Sequence, residues 1–264
     1  MPSKVLVIIL QGETRDGDSN VEDLKKVFSD ISFDTRVYNP KIPEAVKATD
    51  NDWIVDNYRM LSALSYARSG PVVEGKRMEY WKESPVLVVR DSSVCNLTSP
   101  TEMGARVQKM VHSGNSDHMI LLCTWNDECD KYVNSKVTGL KWTSHPTTTQ
   151  AILYRPEWRD ATIDLLKKST IPLTDEFAKL ISRGTLRATA VTPNLIDYDL
   201  SLATKDEDYA KANRCKLPER LPPIKKKRDY IWAYLLFALL VVAVLIILFF
   251  VPRSKSDVVV GQQN

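Results

Sequence analysis

An aspartate directly follows an apolar run in the segment SPVLVVRDSSVCNL, residues 84–97. The run indicates a buried strand that ends at Asp91, with Ser92 and Ser93 immediately after it. A carboxylate at the end of a buried strand can bind a divalent cation or act as a base. Metal sites of this kind use several oxygen ligands, however, and only one acid is present here. Asp91 is therefore the first candidate for a catalytic residue.

A second group of acids follows a later predicted strand. The segment WNDECD, residues 125–130, contains three acids, of which Asp127 is the first. A carboxylate in this position can act as a general base or as a metal ligand. The alternative is a solvated surface loop, which is the more common environment of acidic loop residues. The chain's three histidines are scattered and lack the spacing of metal ligands.

Strands and helices alternate along the first 205 residues. Apolar runs predict buried strands at Val5–Leu10, at Pro85–Val89 and near 117–125, and helical periodicity predicts helices near 50–68, 101–114, 156–168 and 174–182. Continuous apolar runs are typical of strands that are covered on both faces, as in a parallel sheet. The alternation predicts an α/β domain with a mostly parallel sheet flanked by helices.

Charge is distributed unevenly along the chain. The net charge is +3, yet residues 211–228 hold eight basic side chains against the single acid Glu219 and therefore carry +7. Because residues 229–264 are balanced, the first 210 residues carry −4. An acidic domain with one short basic segment lacks the basic surface that binds a nucleic acid backbone. Nucleic acid is therefore excluded as an expected partner.

An uncharged stretch late in the sequence has the length of a membrane span. Residues Tyr230–Val251 contain no charged side chain and reach the ~20 residues that a helix needs to cross a bilayer. Tyr230, Trp232 and Tyr234 lie at its start, where aromatic side chains favour the membrane interface. We predict one transmembrane helix at 230–251, with the lipid bilayer as its partner.

The residues beside the predicted span set its orientation. Four basic residues precede it at the expected interface: Lys225, Lys226, Lys227 and Arg228. The positive-inside rule then keeps the domain at 1–205 in the cytosol. The opening segment KVLVIIL is too short for a signal peptide and indicates a strand. The prediction is a single-pass, tail-anchored protein with a basic, proline-containing tether at 206–229 and a short tail at 252–264 across the membrane.

The order of these segments resembles glycosyltransferase family 25, the group of lipooligosaccharide and procollagen galactosyltransferase-like proteins. In that family an apolar strand ends in an acidic cluster of the type Glu-Asp-Asp-Val, and VVRDSSV occupies that place here. The later segments TTTQAILYRPEWRDATIDLLKKSTIPLTDE and VTPNLIDYD are also similar to the family's pattern. The likeness covers about residues 4–200.

The resemblance implies a GT-A fold that binds a nucleotide-sugar together with Mn²⁺ or Mg²⁺. The resemblance places Asp91 at the family's acidic cluster, and an active enzyme would use Asp91 together with an acid such as Asp127 as its catalytic carboxylates. The nucleotide-sugar contacts it implies are Gly12, Arg15, Arg90 and Ser93. The sequence departs from the family at the metal site itself, because Arg90, Ser92 and Ser93 replace acids. A hydroxyl carries no charge to neutralise a metal ion, so the departure is an argument against metal-dependent catalysis.

Three functions are compatible with these features of the sequence. The first, favoured by the missing acids, is a membrane-anchored structural protein built on an inactive glycosyltransferase-like domain that needs no cofactor. A large DNA virus that assembles around an internal membrane is a setting where such a protein links that membrane to capsid proteins, as a minor virion component. The second is an active, cytosol-facing glycosyltransferase that moves a sugar from a nucleotide-sugar to a protein or glycan. A third is a receptor or adaptor that binds anionic lipids on an organelle membrane.

Overall fold

The computed structural model describes most of the first 199 residues. The described ranges are 4–12, 18–49, 51–70, 72–73, 76–77, 79–112, 118–124, 133–134, 140–143, 146, 148–191 and 194–199. The chain divides into two compact units, Met1–Pro223 and Ile224–Asn264, and every residue of the second lies outside these ranges.

Several predictions fall outside the described residues. They concern Arg15, Asp127, the tether at 206–229 with its basic end Lys225–Arg228, the span at 230–251 with its aromatic residues Tyr230, Trp232 and Tyr234, and the tail at 252–264. Among the residues that are described, no helix is both long enough and apolar enough to cross a bilayer. The membrane anchor therefore stays a prediction.

Twelve strands lie within the described ranges. They are β1 (Val5–Leu10), β2 (Phe33–Tyr38), β3 (Val72–Val73), β4 (Lys76–Arg77), β5 (Val86–Arg90), β6 (Ser93–Cys95), β7 (Met119–Leu121), β8 (Val133–Asn134), β9 (Leu140–Thr143), β10 (Ala151–Tyr154), β11 (Ala188–Val191) and β12 (Ile196–Tyr198). The helices are α1 (Asp18–Val27), α2 (Glu44–Lys47), α3 (Asp52–Ser69), α4 (Pro100–Val111), α5 (Pro156–Leu166) and α6 (Leu173–Ser182), with a 3₁₀ turn at Glu79–Lys82.

Eight of the strands form one sheet in the order β2-β1-β5-β10-β7-β11-β9-β8. Strand β1 is parallel to β2 and β5, and β11 is parallel to β7. Strand β10 is antiparallel to both β5 and β7, and β9 is antiparallel to β11 and β8. Six of the eight strands therefore share one direction, as predicted for an α/β fold with a mostly parallel sheet, while four of the seven neighbouring pairs are antiparallel.

Helices cover both faces of this sheet. On one face, Leu6 and Ile8 of β1 belong to the same buried cluster as residues of α3, α5 and α6. On the other face, Val7 and Ile9 belong to a cluster with residues of α1 and α4. All six residues of β1 are buried, which explains why the strand is an uninterrupted apolar run.

A buried arginine fastens α5 to the 3₁₀ turn. The side chain of Arg159 is 2% exposed, and its Nη1 and Nη2 donate to the carbonyl oxygens of Trp81 and Lys82 at 3.0 and 2.9 Å. Its Nε donates to the carboxylate of Asp160 at 2.8 Å. The guanidinium therefore satisfies two main-chain acceptors that lie far from it in the sequence.

Candidate functional site

The carboxyl ends of β1 and β5 lie side by side, and Asp91 joins them. Its backbone N–H donates to the carbonyl of Leu10 at 3.0 Å, and its Oδ2 accepts the backbone N–H of Gly12 at 2.8 Å. Gly12 has a φ of +110°, a conformation that favours glycine. The Asp91 residue is 0% exposed. The buried carboxylate of Asp91 therefore anchors the loop that follows β1.

The two serines after Asp91 are also turned inward. The Oγ atoms of Ser92 and Ser93 accept hydrogen bonds from Nε2 of Gln150 at 2.7 and 2.9 Å. All three side chains are buried. The short antiparallel ribbon of β6 and β12 begins here, and the backbone N–H of Asp199 donates to the carbonyl of Ser92 at 2.8 Å. The carboxyl end of β5 is thus covered by Gln150 and Asp199, which lie far from it in the sequence.

Arg90 points to the face of the sheet that α3 covers. Its Nη1 lies 3.2 Å from Oδ1 of Asp56, and its Nη2 and Nε donate to the hydroxyl and the carbonyl oxygen of Thr149. Burial lowers the pKa of Arg90 to about 10, so the group is still charged at neutral pH. The ion-pair partner of Arg90 is therefore Asp56 on α3, and the next residue in the sequence, Asp91, binds the Gly12 amide instead.

Asp56 lies between two arginines. Arg59, one helical turn further along α3, has its Nη1 3.9 Å from the same Oδ1 and donates from Nη2 to the carbonyl of Gly12. The pKa of Asp56 is raised to about 6: burial is the largest cause, the positive charge of Arg59 opposes the shift, and the negative charge of Asp52 adds to it. The carboxylate, 44% exposed, is still reached by solvent. It is a partly exposed acid that titrates near neutral pH.

The described residues at the strand end do not supply a set of ligands for a divalent metal ion. A metal-binding carboxylate has to offer an oxygen to the cation, and Asp91 is fully buried with Oδ2 bound to Gly12. The second nearby acid, Asp199, accepts from the side-chain amide of Asn20 at 2.9 Å. Within the described ranges, no three His, Cys, Asp or Glu side chains are placed to hold a metal ion. We therefore derive no catalytic step through Mn²⁺ or Mg²⁺.

Comparison with known proteins does not assign the chain to a family. No family model and no curated protein matches it. Among solved structures, a glycosyltransferase involved in the glycosylation of the major capsid of PBCV-1 aligns with a TM-score of 0.45 at 11% identity, over 79% of this chain and 98% of that one. Mannose-1-phosphate geranyltransferase from Thermus thermophilus aligns with a TM-score of 0.36 at 9% identity, over 72% and 74%. Likenesses this distant establish no activity.

The structure brings four of the residues singled out in the sequence to one edge of the sheet: Gly12, Arg90, Asp91 and Ser93. Sequence reasoning missed Asp56, Arg59 and Gln150, which contact them. Asp56 had a usable signal, because Trp53, Asp56 and Asn57 are spaced i, i+3 and i+4 on a predicted helix and therefore share one face. Gln150 had no such signal in the sequence, because it contacts Ser92 and Ser93 only once the chain has folded.

That face of α3 borders a small cleft, which we call the α3 cleft. Its volume is about 60 Å³. Its lining comes from α3, from the last residue of β5, from the loop before β10 and from the start of α6. The lining residues are Trp53, Asp56, Asn57, Arg90, Thr149, Pro172, Leu173 and Thr174. Asn57 fixes its shape, because its side chain donates to the carbonyl of Ile171 at 2.9 Å and accepts from the backbone N–H of Leu173 at 3.1 Å.

Proposed function

We propose that this chain is a membrane-anchored structural protein whose glycosyltransferase-like α/β domain does not carry out metal-dependent sugar transfer. One observation carries the proposal: the acid at the end of β5, Asp91, is fully buried and binds the Gly12 amide. One oxygen of this carboxylate is thus held by an internal hydrogen bond, and the side chain is closed off from solvent.

The chemistry of transfer explains why this observation matters. When a sugar leaves a nucleotide diphosphate, negative charge develops on the leaving group, and a metal ion or cationic side chains must stabilise it. Two cationic side chains of the described structure lie beside this strand end, Arg90 and Arg59. Arg90 is paired with Asp56, and Arg59 binds the Gly12 carbonyl. Both arginines are therefore held by the protein itself.

The anchoring half of the proposal rests on the sequence. The uncharged run at 230–251 and the basic residues at 225–228 support a single span with the α/β domain on the cytosolic side. A domain kept for its shape and tied to a membrane is suited to linking that membrane to a protein layer. We therefore propose a minor virion component that joins an internal membrane to capsid proteins.

Metal-independent sugar transfer is the second candidate function. The observation that favours it is the partly exposed carboxylate of Asp56 at the α3 cleft, whose pKa of about 6 suits a general base. An acceptor hydroxyl would have to enter this cleft, and the donor diphosphate would have to lie close to Arg59 and Arg90. In this case Asp56, and not Asp91, is the group on which activity depends.

Calorimetric titration of the full-length chain in detergent micelles tests the first candidate. UDP, GDP and their sugar conjugates are added at up to millimolar concentration, with and without manganese. We expect no metal-dependent heat of binding, because the Asp91 side chain is fully buried and its Oδ2 is bound to the Gly12 amide. The exposed acid Asp164 on α5 gives the matched control variant Asp164→Asn.

Two results would count against the structural proposal, and they differ from each other. Metal-dependent binding that Asp91→Asn abolishes and Asp164→Asn leaves unchanged would restore a metal site at the end of β5. Metal-independent hydrolysis of a nucleotide-sugar that Asp56→Asn abolishes would establish the second candidate function.

A further inference from the structure

Strand β2 forms one edge of the eight-stranded sheet, and in the described part of the chain it has a neighbour on one side only, β1. The backbone N–H of Gln11 donates to the carbonyl of Tyr38 at 2.9 Å, so Tyr38 and every second residue before it direct their backbone groups to β1. The backbone groups of Thr35 and Val37, which lie between them, are directed to the other side. An edge of this kind is a template for pairing with another strand.

The charged side chains of β2 make this edge complementary to itself. Asp34 and Arg36 are two residues apart and therefore lie on one face of the sheet, with Arg36 Nε 3.0 Å from Oδ1 of Asp34. Trp81 positions both side chains, because its indole N–H donates to Oδ2 of Asp34 at 3.0 Å and the Arg36 guanidinium lies 6.0 Å from the centre of its ring. Side chains that are already held lose less conformational entropy when a partner strand binds.

A single antiparallel register of two β2 strands places unlike charges opposite each other. Around a two-fold axis perpendicular to the sheet, the outward backbone groups face each other only when the axis passes at a residue rather than between two residues. An axis at Thr35 sets Asp34 of each copy opposite Arg36 of the other. An axis at Asp34 sets two acids opposite each other, and an axis at Arg36 sets two bases opposite each other, which is destabilising.

The register centred on Thr35 also joins the outward backbone groups. The two copies of Thr35 can exchange N–H···O bonds, and the N–H of Val37 faces the carbonyl of Phe33 in the other copy. The N–H of Phe33 needs no partner, because it donates to the carbonyl of Asp30 at 2.9 Å. Ile31, which is 82% exposed and precedes β2, would come to lie beside the end of the other copy's strand. Covering such a side chain favours association.

We propose that two copies of this chain associate by antiparallel pairing of their β2 strands, with the two-fold axis at Thr35 and Asp34 of each copy opposite Arg36 of the other. The sheet then continues from one copy into the next. Because the interface is small, the dimer should dissociate with a constant on the order of 10–100 μM. The inference requires neither candidate function, since it uses no residue of the α3 cleft or of the strand end at Asp91.

Sedimentation velocity on the full-length chain in detergent micelles measures this association at concentrations from about 1 to about 500 μM. Asp34→Lys or Arg36→Glu alone should weaken the dimer about tenfold or more, because like charges then oppose each other at two places. Arg106→Glu on α4 makes the same change of charge at a side chain that is 48% exposed and lies away from this edge, so it should have no effect. Any association through other parts of the chain is common to all the variants.

An equimolar mixture of the Asp34→Lys and Arg36→Glu chains gives a sharper test. Each chain alone opposes like charges, whereas a mixed pair opposes an acid and a base at both contacts. We expect the mixture to recover the dissociation constant of the original chain to within about threefold. The ion pair between positions 34 and 36 is lost inside both chains, so this recovery could not come from repair within one chain.

A disulfide test does not depend on the charge variants, which matters if Asp34→Lys fails to fold without its bond to Trp81. Opposed residues of a hydrogen-bonded pair have Cα atoms about 5.5 Å apart, which a disulfide can bridge. Mild oxidation should therefore link Thr35→Cys chains into dimers, and Arg106→Cys chains, which have the same four native cysteines, should show only the background.

Four results would each overturn the proposal. They are a chain that stays monomeric at about 500 μM, charge variants that associate as well as the original, a mixture that does not recover, and Thr35→Cys chains that cross-link no better than Arg106→Cys chains. A monomer would leave the edge of β2 to a strand of a different protein.

Discussion

Replacing Asp91 with alanine is expected to lower the free energy of unfolding by about 1–3 kcal/mol, the usual cost of leaving a buried hydrogen-bond donor without its acceptor. The substitution leaves the Gly12 amide without its acceptor at the end of β1. It also removes a negative charge that raises the pKa of the neighbouring buried Arg90. Asp91→Asn keeps an acceptor oxygen for Gly12 and should lose only part of this stability.

Urea unfolding of residues 1–223, the first compact unit, followed by circular dichroism measures this effect. Asp164→Ala is the control, because that carboxylate is 66% exposed and should matter by less than about 1 kcal/mol. The opposite outcome is informative as well. The carboxylates of an empty metal site repel one another, so removing one of them does not lower stability. An Asp91→Ala variant that is as stable as the original, or more stable, would therefore contradict the internal role.

Replacing Arg159 with alanine is the second large effect, with an expected loss of about 2–5 kcal/mol, because two carbonyl acceptors lose their donor. The guanidinium is 2% exposed and is the donor for the carbonyls of Trp81 and Lys82, which would be left unsatisfied. Trp81 is itself fully buried, so loss of this contact also loosens the packing of a large side chain.

Arg159→Lys separates charge from geometry. Lysine keeps the positive charge but lacks the planar fork that reaches two carbonyls at once, so it should recover less than half of the loss. Arg106→Ala is the control, since Arg106 and its partner Glu102 are both 48% exposed and such pairs contribute little. Equal melting temperatures for Arg159→Ala and Arg106→Ala would show that the α5 contact is not needed for stability.

The sequence predicted the elements of the fold and the shared direction of most strands, but not which strands pair. Strands β1 and β5 were evident because both their faces are buried, which leaves a continuous apolar run. The place of β10 was not evident. Its four residues are all buried, as in a parallel strand, and its antiparallel direction depends on β5 and β7, which lie far away in the chain.

The same limit applies to the site. The position of Asp91 at a strand end was predictable, but its burial was not, because its partner Gly12 is 79 residues away in the sequence. Ser92 is likewise 58 residues from Gln150. Local sequence shows that a carboxylate is present, whereas the fold decides whether that carboxylate faces solvent or another part of the chain.

The position of β10 has a consequence for the growing chain on the ribosome. Synthesis proceeds from the amino terminus, so β2, β1 and β5 are complete while the strand that covers the free edge of β5 has not yet been made. That edge is apolar and has unpaired backbone groups until residue 154 has emerged, which makes it a site for aggregation or chaperone binding. Only then can the two halves of the sheet join.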